Sequence, residues 1–339
     1  MLKQQFLPRI NSLLGVLLLV SCSPSASQPT NNMCAPEFAE LEFGISSSES
    51  QANLKQQWEP LLAVMAEAIG RPVNGLYATD YAGVIEAMGA SKIQVAWYGG
   101  KAYIEAAKRS QAEAFVRAVG VEGSQGYYSH LITNRENPIL KSIDLEAGNG
   151  DQYVIENASD LTFAFNDPNS TSGYLVPSLY VFAENNIDPN TAFDELVFSG
   201  SHEATALAAA NDQVDVATNN SGTLEMMEQL DPETREKIQV IWTSPIIPTA
   251  PLAYRSDLPD CLKNDIRTFF YDYQDSDVLT PMGWSDFIPA EDKDWNPIRE
   301  LDIGKQILDV QNNQSLSDAV KQQQIDQLNQ QLKALKITE

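Results

Sequence analysis

The feature that most restricts this chain is an alternation of short apolar strands with amphipathic helices, run through twice. Leu41, Phe43 and Ile45 alternate as a strand does, and Leu54, Trp58, Leu61, Leu62, Met65 and Ile69 follow at helical spacing until Gly70 and Pro72 stop the helix. Residues 73–77 and 93–97 read as further strands, separated by a helix that starts after Asp80 and turns Val84, Ile85 and Met88 to one side. A second series opens after Asp160, with a strand over 161–165, helices over 172–183 and 203–210, and strands over 214–217 and 238–242. Repeated units of this kind predict an α/β fold with largely parallel sheets covered by helices. Between the series, a strand over 127–133 precedes a polar, proline-containing connection that suits a chain crossing between lobes, and Pro245, Pro248 and Pro251 mark the return. Two lobes joined by two crossings leave a cleft into which helix N-termini point from both sides. The expected division is 38–128 with 246–339 for the first lobe and 129–245 for the second.

The N-terminus has a different character. Lys3 and Arg9 precede an apolar run over 13–20, too short to span a bilayer and of the length of a signal peptide. It ends on Leu19-Val20-Ser21-Cys22, which resembles the lipobox of bacterial lipoproteins, so residues 1–21 are expected to be removed and Cys22 to become the acylated, membrane-anchored N-terminus. Residues 22–37 then form a tether, rich in Ser, Pro, Gln, Thr and Asn. Cys34 and Cys261 remain, and in an oxidising envelope compartment they could pair or stay free. At the other end Ile325, Leu328, Leu332 and Leu335 form an amphipathic helix, expected to pack on its own domain, with a second copy of the chain as the lesser alternative.

Charge and missing motifs exclude several function classes. The chain carries 22 Lys and Arg against 46 Asp and Glu, a net charge of −24, so it has no basic surplus with which to bind nucleic acid. Loss of Lys3 and Arg9 with the signal peptide leaves 20 basic residues against 46 acidic ones, or −26. An anionic ligand must then be held by short-range donors. The two histidines, His130 and His202, and the cysteine spacing offer no metal site. No Gly-x-Ser-x-Gly elbow, phosphate-binding loop or dinucleotide fingerprint occurs, so neither an enzyme nor a cofactor is expected.

What stands out is Asn166-Asp167-Pro168-Asn169-Ser170-Thr171-Ser172-Gly173, between a strand and a helix. Three consecutive hydroxyls beside the free N–H groups of a helix start make a receptacle for a tetrahedral oxyanion without a cationic side chain. A plain N-cap would need only one of them. Gly200-Ser201-His202-Glu203 precedes another helix, where His202 could donate into the cleft or serve as a cap.

These segments, with Phe43-Gly44-Ile45, Glu49-Ser50-Gln51, Asp80-Tyr81-Ala82-Gly83, Ala96-Trp97-Tyr98-Gly99, Gly126-Tyr127, Leu175-Val176-Pro177 and Val214-Asp215-Val216-Ala217-Thr218-Asn219-Asn220, resemble the substrate-binding proteins of bacterial phosphonate and phosphite ABC importers. The resemblance runs in order from about Glu42 to Arg299. It implies a two-lobed type II periplasmic binding protein, each lobe a mixed sheet flanked by helices, that closes on its ligand and hands it to a permease and ATPase. It also implies that Ser170, Thr171, Ser172, His202, Tyr81 and Tyr127 hold the ligand oxygens; the two tyrosines would otherwise read as core aromatics. Where family members that bind aminoalkylphosphonates place carboxylates for the ammonium group, this chain has Gly222 and Ala250. A desolvated ammonium without a counter-charge is costly, so the expected ligand is phosphite or a small alkylphosphonate such as methylphosphonate. A lipid-anchored sensor using the same clamp is the alternative.

Overall fold

The structure is a computed structural model and describes residues 34–336. The expected signal peptide, the expected lipidation site Cys22 and residues 22–33 of the expected tether lie outside the described residues. In chain order the strands are β1 (Leu41–Ile45), β2 (Val73–Tyr77), β3 (Val95–Trp97), β4 (Ala112–Gly120), β5 (Gly126–Tyr127), β6 (Ser129–Asn134), β7 (Thr162–Phe165), β8 (Glu195–Phe198), β9 (Val216–Asn220), β10 (Ile238–Thr243), β11 (Ile247–Pro248), β12 (Pro251–Arg255) and β13 (Trp284–Pro289). They form a six-stranded sheet in the order β13-β4-β12-β3-β1-β2 and a five-stranded sheet in the order β10-β6-β9-β7-β8. The first sheet draws on both ends of the chain and the second on its middle.

The βα periodicity produces the elements expected of it. The helix Gln51–Ile69 buries Leu54, Trp58, Leu61, Leu62 and Met65 and ends on Gly70, whose φ of 69° lies in the left-handed region that glycine enters without strain. The helix Tyr81–Gly89 is capped by the Asp80 side chain, which accepts from Gly83 N, and it buries Val84, Ile85 and Met88.

Neither sheet is largely parallel, which corrects the simplest reading of that alternation. Only β1 runs parallel to its neighbours β2 and β3 in the first sheet, and β7 to β8 and β9 in the second. The cause is the crossings. β12 re-enters the first sheet after the return and pairs antiparallel with both β3 and β4, and β13 adds antiparallel to the far edge of β4. β6 and β10, next to the crossings on the other side, pair antiparallel with each other, as β6 does with β9.

The crossing itself is short. The strand expected over 127–133 divides in two: β5 pairs antiparallel with β11, placing Tyr127 opposite Ile247, while β6 already belongs to the second sheet. Outgoing and returning chains therefore hold each other, and the polar connection after β6 lies beyond the crossing.

The helix expected over 172–183 is wound more loosely than an α-helix. Thr171–Leu175 and Ser178–Phe182 are π-helical, and Ala183–Asn185 is a 3-10 turn. Leu175 N donates to Ser170 O five residues back, and Pro177 has no N–H with which to continue a regular ladder. Leu175 and Val176 from this segment pack in the same cluster as Tyr81, Val84, Ile85, Trp295 and Ile298, so the wide turn is wedged against the core of the first lobe.

The C-terminal helices Asn296–Asn312 and Asp318–Leu335 pack on each other, with Leu328 buried between them. Lys321 Nζ donates to Gln311 O at 2.8 Å. Cys34 and Cys261 are both disulfide-bonded.

Candidate ligand-binding site

The hydroxyl triplet follows from a capping problem. After β7 the chain must start a new helix, and the first N–H groups of any helix lack internal partners. Ser170 is the N-cap, and its Oγ accepts from Gly173 N at 3.0 Å. Thr171 and Ser172 occupy the first turn, where a helix's N–H groups lack partners within the helix itself. All three hydroxyl residues are 1–2 % exposed.

His202 begins the helix His202–Ala210, capped by Ser201, whose Oγ accepts from Ala204 N at 3.0 Å. Its Nε2 lies 3.3 Å from Ser172 Oγ and 3.5 Å from Ser170 Oγ, while Nδ1 is buried with no hydrogen-bond partner among the described residues. Burial pushes the imidazole pKa down to about 3, so the ring is neutral at physiological pH and acts as a hydrogen-bonding group, not as a cation.

Tyr81 opens the helix on the first lobe and is 3 % exposed. Burial raises its phenol pKa, with hydrogen bonds from Asn166 and Ser170 acting the other way. Tyr127, on the β5–β11 ladder, is partly exposed, and the hydroxyls of Ser172 and Thr171 lie against its phenol; burial raises its pKa too. Both phenols keep their protons at neutral pH and remain donors. The six residues expected at the site are thus brought together from four separate segments.

The N–H groups behind the cluster come from a further helix start. Lys101 N, in the first turn of Gly100–Arg109, donates to Thr171 Oγ1 at 2.8 Å, whereas the Lys101 ammonium turns away to Asp302 at 2.8 Å. Lys101 contributes its backbone dipole to this site and not its charge.

Two residues that matter here, Asn166 and Glu49, could not be assigned a role from the sequence. Asn166 donates through Nδ2 toward Tyr81 OH at 3.3 Å and Ser170 Oγ at 3.4 Å. Glu49, 5 % exposed, accepts from Thr223 Oγ1 of the opposite lobe at 3.0 Å. Burial pushes the Glu49 pKa up to about 8; the Thr223 bond opposes this and the nearby Glu203 charge adds to it. Around Glu49 the lobes are also joined by His202 N donating to Ser48 O at 2.8 Å and Ser50 N donating to Glu203 Oε2 at 2.6 Å. The cleft is closed, and the segment Ser48-Glu49-Ser50 clasps the starts of two helices of the second lobe. Thr223 adjoins Gly222, which is exposed at the start of Ser221–Leu230, and Ala250 is half-buried beside β12.

Two lobes closed on a cluster of neutral donors, with helix starts aimed into it, define a two-lobed type II binding protein for an oxyanion. The family model described as "ABC transporter, phosphonate, periplasmic substrate-binding protein" matches residues 43–295. The phosphonates-binding periplasmic protein of Escherichia coli (strain K12) is 42 % identical over 296 residues, covering 86 % of this chain and 84 % of that one. A binding protein component of an ABC phosphonate transporter from Pseudomonas aeruginosa, also 42 % identical, matches with a TM-score of 0.83 over 88 % of this chain and 97 % of its own. PhnD1 from Prochlorococcus marinus in complex with methylphosphonate matches at 18 % identity and a TM-score of 0.68, over 78 % of this chain and 97 % of its own. The chain belongs to the family of periplasmic substrate-binding proteins of phosphonate ABC transporters, which deliver ligand to a permease and perform no chemistry on it.

Proposed function

We propose that this chain captures phosphite or a small alkylphosphonate without an amino group, such as methylphosphonate, in the cluster of Tyr81, Tyr127, Ser170, Thr171, Ser172 and His202. The observation that carries the choice of ligand is the pair Gly222 and Ala250, which supply no carboxylate where an ammonium group would need one. Glu49 does not replace them, since its buried carboxyl favours the protonated form and is already engaged by Thr223. The P. marinus protein was solved with methylphosphonate, but at that identity the likeness is one of fold, so the argument rests on residues 222 and 250. Competitive isothermal titration with phosphite, methylphosphonate, 2-aminoethylphosphonate and phosphate tests the reading. Tighter binding of 2-aminoethylphosphonate than of the first two would overturn it.

We further propose that the mature chain starts at an acylated Cys22 and is held at the membrane by it, on the strength of Leu19-Val20-Ser21-Cys22 after the apolar run. Metabolic labelling with a radioactive fatty acid should mark the wild type and not Cys22→Ser. Equal labelling of both would remove the anchor.

A further inference from the structure

Asn166 follows β7 directly and is fully buried. Its backbone is committed elsewhere, N donating to Gly173 O at 3.1 Å and O accepting from Gly200 N at 2.9 Å. The side chain is what addresses the site, with Nδ2 at 3.3 Å from Tyr81 OH and 3.4 Å from Ser170 Oγ, and Oδ1 buried with no partner among the described residues. Turned over, the amide would bury two donor hydrogens without acceptors in place of one carbonyl oxygen, so the observed orientation is the less costly one.

A hydroxyl carries one proton and can also accept, so neighbouring hydroxyls can satisfy each other and leave fewer protons for a ligand. Tyr81 and Ser170 are such a pair, since the Ser170 hydroxyl lies within hydrogen-bond reach of the Tyr81 phenol. The Asn166 amide competes with that internal bond by donating to both oxygens. Ser170 Oγ accepts from Gly173 N as well, and Thr171 Oγ1 is filled in the same manner by Lys101 N. Ser170 Oγ, with both acceptor positions filled from behind, has only its proton to offer forward, and Tyr81 OH and Thr171 Oγ1, with one filled each, are biased the same way.

We infer that Asn166 is a positioning residue that fixes Tyr81 and Ser170 as donors toward the ligand, making the pocket select the fully deprotonated dianion of a phosphonate over its monoprotonated form. A P–OH group would need an acceptor; among the described residues the carboxylates around the cluster are engaged elsewhere, and the neutral His202 ring, taken with its proton on Nε2, presents a donor there and not an acceptor. Asp167, the nearest carboxylate, takes Asn169 N at 2.7 Å and is further bonded by the Asn169 side chain and Tyr81 N. Asp80 caps its own helix, Tyr127 and His202 are the remaining titratable groups of the cluster, and Glu49 and Glu203 behind His202 are bonded to Thr223 and Ser50. The inference rests on the assignment of this cluster to the phosphonate oxygens.

The test is isothermal titration near the ligand's second pKa, in two buffers of different ionisation enthalpy, which reads protons released on binding. Methylphosphonate, phosphite and 2-aminoethylphosphonate are the probes, and Glu49→Gln serves as background to remove that carboxyl's own proton. The expected release is about half a proton per ligand bound, because half the free ligand must lose one. Asn166→Asp, which can only accept from the two hydroxyls, should bind at least about tenfold more weakly and lose or reverse the proton release. Asn166→Ala should bind roughly fivefold more weakly with reduced release, and it carries the comparison if the aspartate variant does not fold. Variants that bind weakly but keep the parental proton release would show Asn166 to be merely structural. Binding without proton release in the parent would remove the inference while leaving the oxyanion site standing. If none of the three probes binds, the site assignment and the inference fall together.

Discussion

Glu49→Gln tests whether the closed geometry around the hydroxyl cluster is a working part of the molecule. The Glu49 carboxyl is buried between the lobes, holds Thr223 Oγ1 at 3.0 Å, and has a pKa pushed from 4.5 up to about 8, chiefly by burial. An unfolded chain, or a cleft opened to water, gives up that proton near the ordinary glutamate value. Between the two pKa values the closed state therefore holds a proton that the competing states have released. Its stability is complete below about pH 4.5 and is lost as pH rises through about 8. At about 1.36 kcal/mol per pH unit, the effect is bounded by roughly 5 kcal/mol. Glutamine keeps an oxygen for Thr223 and removes the titration. We expect Kd for methylphosphonate to match between wild type and variant near pH 4, and the variant to bind at least about tenfold more tightly near pH 9. Taking the ratio of the two at each pH cancels the ligand's own ionisation. Urea denaturation over the same range should show the wild type losing stability on the alkaline side and the variant holding it. Parallel profiles in both measurements would mean that Glu49 is hydrated in solution and that the Ser48-Glu49-Ser50 clasp does not govern closure.

Three further outcomes follow from the same geometry. Thr171→Val keeps the shape of the side chain but removes a proposed ligand donor and strands Lys101 N–H, so affinity should fall by roughly 2–4 kcal/mol while a change from about 0.05 M to about 0.5 M salt alters it less than about threefold; strong salt dependence in titration calorimetry would contradict a site without cations. His202, with its pKa pushed down to about 3, stays neutral in the folded chain while the unfolded chain takes up a proton below about 6.5, so folding stability should decline from about pH 6.5 toward pH 3, and His202→Gln should flatten that decline in urea melts at about pH 4 and pH 7. Gly222→Glu combined with Ala250→Asp should move the preference toward 2-aminoethylphosphonate by at least about tenfold in competition titrations, since a Cβ at residue 222 meets nothing nearer than Asn220 Oδ1 at 3.3 Å and an acid suits the first turn of a helix; an unchanged ratio would show that these positions do not face the ligand's substituent.

The parts of the fold that could be read in the sequence are those fixed by local chemistry. The apolar spacing of Leu54 to Met65 and the Asp80 cap each declare a helix within a few residues, and the run of Ser170, Thr171 and Ser172 declares a helix start with more hydroxyls than a cap requires. What escaped depends on distant partners. The direction of β12 is set by where the return crossing delivers it beside β3, more than 150 residues later in the chain. Tyr81 and Tyr127 have nothing in their immediate sequence to separate a ligand donor from a core aromatic, so only the family resemblance singled them out. Asn166 before Asp-Pro has the composition of a turn, and its role arises from lying over Tyr81, 85 residues away. Glu49 is hidden among 46 acids, since only burial distinguishes a carboxyl that resists ionisation from one that serves solubility.

That distinction also explains how so acidic a chain can hold an anion. Whatever the surface charge, repulsion from solvated acids is screened over about 8 Å at physiological salt, so the carboxyls that matter are those buried near the cleft. Glu49 and Asp167 are such groups: burial pushes the Glu49 pKa up to about 8, favouring the uncharged form where an anion would suffer most from a negative neighbour, while Asp167, its pKa also raised by burial, is turned to Asn169 N–H at 2.7 Å. In the site proposed above, the attraction comes from neutral groups: hydroxyls, phenols, an imidazole held uncharged, and the N–H groups of helix starts from both lobes. Each exchanges a hydrogen bond to water for one to a charged oxygen when the cleft closes, a gain of about 1.5–3 kcal/mol apiece before the entropy of ordering the lobes is subtracted. When the cleft opens, water can take every one of those bonds back, and no buried cation is left without its partner. Affinity in such a site is therefore set by how many donors closure aligns on the ligand, which is why residues that only shape closure or proton direction, Glu49 and Asn166, should weigh on binding as heavily as residues that touch the anion.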